Sequence, residues 1–296
     1  MSDSILNDAI RENAMLMSYQ TKAWSGRIKD PAAAQAAAKA LGITTSSLST
    51  TKNLMDGADT RLRAVVSAQE SGRQDHARFT LPWTTDNGSR GPRMLPTVKF
   101  LDYMGVIAKA KTEYDQALAD FLQHYEDDAI KAQGRINMVG DPLRLYPSKQ
   151  EIAGYFDIKI DPMPIPAGAH FRGLPDGYDT MLTKSLEERI QKRMSSAIGE
   201  AYQRAHIAVG NLASRLSAEE PTFKSAAIEN VRDLGPLLRA WNLNGDEQLA
   251  TLADDVEKLV AGEDMKSLKG NDTVRRLVAK EAKRIVAMIE EWGVLP

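Results

Sequence analysis

Between Arg73 and Lys99 the chain reads R-Q-D-H-A-R-F-T-L-P-W-T-T-D-N-G-S-R-G-P-R-M-L-P-T-V-K, a stretch whose residue types could bind nucleic acid. Arg73, Arg78, Arg90, Arg93 and Lys99 supply five cations against two acids, Asp75 and Asp86, and Phe79 and Trp83 stand among them. Cations that follow a phosphate backbone, interleaved with rings on which bases stack, are the chemistry of single-stranded nucleic-acid binding. In the earlier segment K-A-W-S-G-R-I-K, Lys22, Trp24, Arg27 and Lys29 would extend such a track if the first helix folds beside it. A simpler role fits the same residues. Phe79, Leu81 and Trp83 would anchor a loop to the core while the arginines lie solvated around it.

No other constellation asks to be an active site. The four histidines (His76, His124, His170, His206) fall in no metal-ligand spacing such as H-E-x-x-H. H-Y-E at 124–126 reads as a surface pair on a helix. There is no G-x-x-x-x-G-K-[ST] phosphate loop and no G-x-S-x-G nucleophile elbow. D-N-G-S-R-G at 86–91 is a turn signal. The paired carboxylates Asp127–Asp128 and Asp254–Asp255 are adjacent, so on a helix they point apart. The expectation is a protein that is not an enzyme, with no catalytic residues, no cofactor and no metal.

Charge sharpens the first reading. The whole chain carries a net −2, yet from Lys22 to Lys111 it has 14 Lys+Arg against 7 Asp+Glu. The remainder has 24 against 33. A basic segment within an acidic chain suits a polyanion partner, with the acidic remainder favouring solubility. Cysteine is absent, which excludes disulfides, thiolate zinc sites and a cysteine nucleophile. The N-terminal M-S-D-S-I-L-N-D lacks the basic and apolar regions of a signal peptide. No run approaches the roughly 18–20 apolar residues that span a bilayer. The expectation is a soluble intracellular protein with no membrane partner.

The elements that must position these residues are mostly helical. Residues 3–23 read as an amphipathic helix with Ile5, Ala9, Leu16 and Tyr19 near one side. Asp30 caps a second helix, with Pro31 at its first position and Gly42 at its end. Its alanine-rich surface suits close packing against another helix or subunit. After a Ser/Thr-rich connector, Leu54, Ala58, Leu62 and Val65 predict a helix over about 51–70. The stretch from Arg73 onward is too rich in Gly and Pro to be helical. From 97 to 133, Phe100, Tyr103, Ile107, Tyr114, Leu118, Phe121 and Tyr125 form one stripe, read as the spine of the fold.

Residues 134–147 read as irregular. S-K-Q-E at 148–151 is a capping box for a short helix. F-D-I-K-I-D alternates with period two and predicts a strand. Its partner would come from Arg78–Trp83 or from a second subunit. Helices follow over about 180–217, from a Thr222 cap to Asn242, over 246–261, and from an Asp272 cap to the end. The fold class is therefore mainly α with a small β element (α+β), a long-helix bundle plus short strands. Three regions are expected within one compact body: 1–147, 148–178 and 179–296.

Several motifs together resemble a family of phage and mobile-element proteins: W-S-G-R, F-T-L-P-W, R-M-L-P, F-L-D-Y-M, Y-P-S-K-Q-E-I-A-G-Y-F-D-I-K-I and N-L-N-G-D-E-Q-L. Within it, length and order of elements are similar to the Drc family of single-stranded-DNA-binding RNA polymerase cofactors from Schitoviridae phages. The resemblance implies a fold that is not an OB-fold, a homo-oligomer, single-stranded DNA and the phage RNA polymerase as partners, and a place in the host cytoplasm. It carries no catalytic motif and maps no DNA contact onto a position of this chain. Other members of the broad family imply an alternative, a protein-interaction module working with a ring ATPase or another phage assembly factor.

Overall fold

The computed structural model describes residues 3–55, 60–83, 91–134, 145–168, 177–218 and 225–295. Of these, 71% are helical, in ten α-helices accompanied by a small antiparallel sheet of four strands, so the mainly α class with a small β element holds. The chain runs α1 (Asp3–Asn13), β1 (Ala14–Lys22), β2 (Arg27–Lys29), α2 (Pro31–Leu41), β3 (Thr51–Asn53), α3 (Thr60–Phe79), β4 (Leu81–Pro82), β5 (Arg93–Pro96) and α4 (Phe100–Gln133). It continues through α5 (Lys149–Ala153), β6 (Asp157–Met163), α6 (Tyr178–Leu216), α7 (Ser225–Trp241), α8 (Glu247–Leu259), α9 (Met265–Gly270) and α10 (Asp272–Glu291). The sheet has the order β4-β5-β1-β6, and β2 pairs with β3 in a separate ribbon.

Local signals set many of the boundaries. Asp30 accepts a hydrogen bond from the Ala33 N–H, and Gly42 closes α2 in the left-handed region. Ser148 and Glu151 form the reciprocal capping box of α5. Asp246 caps α8. At α10 the capping side chain is Asn271, one residue before the expected Asp272.

Two elements depart from the sequence expectation. The helix predicted over 3–23 stops at Asn13, and Ala14–Met17 pair antiparallel with Arg93–Pro96, Ala14 opposite Pro96 and Met17 opposite Arg93. A short apolar run such as A-M-L-M fits either period, and a strand partner distant in sequence decides it. β6 in turn neighbours β1, rather than the Arg78–Trp83 segment. The helix expected over 51–70 instead begins at Thr60 and runs to Phe79, taking Arg73 and Arg78 out of the predicted loop. Residues 135–144, the D-N-G-S-R-G turn before Gly91 and the Thr222 cap lie outside the described residues.

The chain divides into two units, neither contiguous in sequence. The first comprises residues 1–18, 77–103 and 161–296, and the second 19–76 and 104–160. This division does not follow the three consecutive regions read from the sequence.

In the first unit, α6 packs against α7 and α10, and α7 against α8. Ala197, Ala201 and Ala205 recur every four residues on the buried face of α6, and their small side chains permit close approach of neighbouring helices. The Tyr202 hydroxyl donates to Asp246 Oδ1 at 2.9 Å, the same oxygen that caps α8 at the Leu249 N–H. Trp241 at the end of α7 is fully buried and donates its indole N–H to the Phe79 carbonyl at 3.1 Å.

In the second unit, Tyr114, Phe121 and Tyr125 of the α4 stripe are buried among Trp24, Leu54, Leu62, Val65, Ile152, Phe156 and Ile158. Phe121 meets both Tyr125 and Phe156 edge-on, with centroids 5.6 Å apart in each case. Gly72 of α3 lies so close to the Tyr19 ring that any side chain there would collide with the phenol oxygen. That ring stacks on His76, with centroids 5.5 Å apart.

Candidate nucleic-acid interface

The second unit holds Lys22, Trp24, Arg27, Lys29 and Arg73 of the sequence-predicted residues. Gly26 turns the chain at a φ of +68°, and its carbonyl accepts from the Leu54 N–H at 2.8 Å, which starts the β2–β3 ribbon. In the ribbon, Arg27 faces Asn53, Ile28 faces Lys52 and Lys29 faces Thr51. With a period of two, Ile28 packs on the core while Arg27 and Lys29 share the other face. Arg27, Lys29, Thr51 and Asn53 are all exposed. Lys52 is committed to Asp30 at 3.0 Å, whereas no carboxylate among the described residues pairs with Arg27 or Lys29.

At the end of β1, Lys22 donates to the Gly154 carbonyl at 2.7 Å and sets its ammonium 5.7 Å from the centre of the Tyr155 ring. Ile152 and Phe156 are buried to either side of Tyr155, which is itself 42% exposed. Sequence reasoning missed this residue. Its only signal is its position between two apolar residues four apart, at the end of a capped helix. Arg73 is half-buried and donates to the Thr21 hydroxyl, with Glu70 at 3.7 Å, so it braces β1 more than it faces solvent. Trp24 is 8% exposed and meets Tyr125 edge-on, which removes it from any binding track.

The first unit holds Arg78, Phe79, Trp83, Arg93 and Lys99. Neither ring offers a face to a base. Phe79 is 9% exposed, with Tyr103 edge-on at 6.1 Å, and Trp83 is 2% exposed with the Arg193 guanidinium 5.6 Å from its ring centre. The stacking role assigned to them is therefore corrected: they anchor their segment, as Leu81 does at 0% exposure. Arg78 remains exposed, lies 5.3 Å over the Phe79 ring and pairs with Asp233 at 3.4 Å.

Arg93 is turned inward, donating to the Thr80 hydroxyl at 2.8 Å and to the Thr80 carbonyl at 2.9 Å. Burial, together with the neighbouring Arg204 cation, pushes its pKa down to about 10. Arg204 is itself lowered by burial; it donates to the Ala77 carbonyl at 2.8 Å and lies over Trp241. Lys99 is half-buried and pairs with Asp102 at 3.0 Å. Arg90 lies outside the described residues.

The predicted residues thus distribute over two units, and three of their rings are core. On the second unit, the predicted cations left accessible to a polyanion are Arg27 and Lys29 on the ribbon face and Lys22 beside Tyr155. Among the described residues no three His, Cys, Asp or Glu side chains converge as metal ligands would, and no helix is long and apolar enough to cross a membrane. Comparison of the chain with protein-family models, with curated proteins and with solved structures finds no match.

Proposed function

We propose that the protein is a non-enzymatic single-stranded-DNA-binding protein whose contact surface lies on the second unit. The observation that carries this reading is an exposed aromatic residue, Tyr155, under a lysine, together with the cations Arg27 and Lys29 on one ribbon face, free of carboxylate partners among the described residues. Cations neutralise phosphates and an exposed ring stacks a base, with stacking contributing about 1–3 kcal/mol per base. The motif resemblance supports a role as a transcription cofactor of a phage RNA polymerase, working as a homo-oligomer in the host cytoplasm.

A labelled single-stranded oligonucleotide and its duplex, titrated at low and moderate salt, test the reading. Preferential binding to the single strand that weakens steeply with salt supports it. Equal, weak binding to both forms contradicts it.

A second reading, a protein-interaction module, draws on Val98 and Leu101, which are 75% and 81% exposed and three residues apart where α4 begins. Exposed apolar side chains on neighbouring turns suit a protein partner rather than a polyanion. On that reading the basic residues meet an acidic partner and free DNA binds weakly.

A further inference from the structure

We propose that the cleft between the C-terminal end of α6 and the first turns of α10 binds an oligophosphate. The cleft has a volume of about 590 Å³; the Leu216–Ala218 segment forms one wall, and Arg275, Arg276, Lys280 and Lys283 stand on the other. That volume lies in the range of small-ligand pockets. Arg276, Lys280 and Lys283 recur at steps of four and three, which places them on one face of α10. The acidic total of the C-terminal region conceals this cluster in any reading by composition.

Among the described residues the local charge is not balanced. Asp272 pairs with both Arg275 and Arg276, the latter at 2.8 Å, so one carboxylate serves two guanidinium groups. Glu281 and Asp255 are both engaged by Arg284, at 2.7 and 2.6 Å. Lys280 and Lys283 are exposed and have no hydrogen-bond or ion-pair partner among the described residues. Arg275 Nε is buried without an acceptor among the described residues, and a buried donor left unpaired is costly until an acceptor reaches it. The C-terminal end of α6 contributes roughly half a negative charge and the N-terminal end of α10 roughly half a positive one, so the helix ends nearly cancel and the side chains decide.

Four cations against one carboxylate suit a ligand with several negative charges in a short length. Guanidinium forks and lysine point charges both recognise phosphoryl oxygens. Among the described residues no aromatic ring lines the cleft, so the described lining offers a nucleobase no stacking face and recognises the phosphate chain. The ligand class is a chain of two or three phosphoryl groups, free or as part of a larger molecule.

Calorimetric titration of the full chain with sodium tripolyphosphate tests the site. Saturable binding is expected, at least tenfold tighter than orthophosphate and within a few-fold of ATP. The Lys280→Gln/Lys283→Gln variant alters two exposed side chains and should fold normally while binding at least tenfold more weakly. Tyr155→Ala should leave tripolyphosphate binding unchanged, which separates this site from the proposed DNA surface. Absence of saturable binding, or undiminished binding by the lysine variant, would overturn the proposal.

The sequence continues from Ala218 into Glu219 and Glu220, so a Glu219→Gln/Glu220→Gln variant is included. Binding confined to that variant would also overturn the proposal, because the cations would then serve the chain's own carboxylates. A competing oligonucleotide identifies the source. Displacement of tripolyphosphate assigns the site to a nucleic-acid backbone, and lack of displacement to a free oligophosphate; both uphold phosphate recognition.

Discussion

The Lys22 ammonium lies 5.7 Å from the centre of the Tyr155 ring while donating to the carbonyl of Gly154, the residue before it. The hydrogen bond fixes the lysine, and Tyr155 stays 42% exposed. A cation over an aromatic ring at such an exposed site contributes about 0.5–1 kcal/mol. A base stacking on the ring's open portion would add to that without displacing the core residues Ile152 and Phe156.

Replacing Tyr155 with Ala should weaken single-stranded DNA binding about tenfold or more, the lower part of the range for one lost stack. The melting temperature should stay near wild type because the ring is largely outside the core. Tyr155→Phe should retain most of the affinity. Anisotropy titration and differential scanning fluorimetry, run on the same samples, check both halves.

Arg27→Ala/Lys29→Ala should lower the salt dependence of single-strand binding. Each neutralised phosphate contributes roughly 0.7 to the slope of log affinity against log salt, so the double variant should lose about 1.4. An unchanged slope would remove the ribbon from the interface. Arg93→Ala, by contrast, should cost stability, since that side chain holds Thr80 rather than facing solvent.

Trp83→Ala should destabilise the protein by about 3–5 kcal/mol, as truncation of a buried large ring does. Whatever remains folded should bind DNA as wild type does. Denaturant unfolding with an affinity measurement below the transition distinguishes this from a stacking role, which would reduce affinity at unchanged stability.

The pH limits of stability follow from buried phenols and capping carboxylates. Burial raises the pKa of Tyr114 to about 12, and burial raises Tyr125 and Tyr202 as well. Their contribution is complete below pH 10 and is lost as pH rises through the folded values. Tyrosinate absorbance from these three should therefore emerge with loss of the folded circular dichroism signal. At the acid end, backbone N–H groups at helix starts lower Asp30, Glu151 and Asp264, with Ala33, Ser148 and Ser267 the leading donors respectively. Stability from these caps is present above the ordinary carboxylate range and is lost as pH falls through the lowered values.

How far the sequence discloses all this depends on the range of the forces involved. The α4 stripe from Tyr103 to Tyr125, the Asp30 and Ser148 caps and the β6 alternation are local, and each is legible from spacing alone. The end of α1 is not, because Ala14–Met17 take their conformation from Arg93–Pro96. The candidate site suffers more from the same limit. Phe79 and Trp83 stand among cations in sequence, yet tertiary packing turns their faces inward. Tyr155 carries no local mark of exposure beyond its place between Ile152 and Phe156. Arg27 and Lys29 are visible as charges, but their common face depends on the ribbon register.

The most direct measurement is ultraviolet crosslinking of the protein to a single-stranded oligonucleotide, followed by mass spectrometry of the adducted peptides. An adduct in the peptide containing Tyr155, competed away by unlabelled single strand and lost on raising salt, is the predicted result. Adducts confined to the peptide containing Trp83, or none that a single strand competes away, would contradict a binding surface on the second unit.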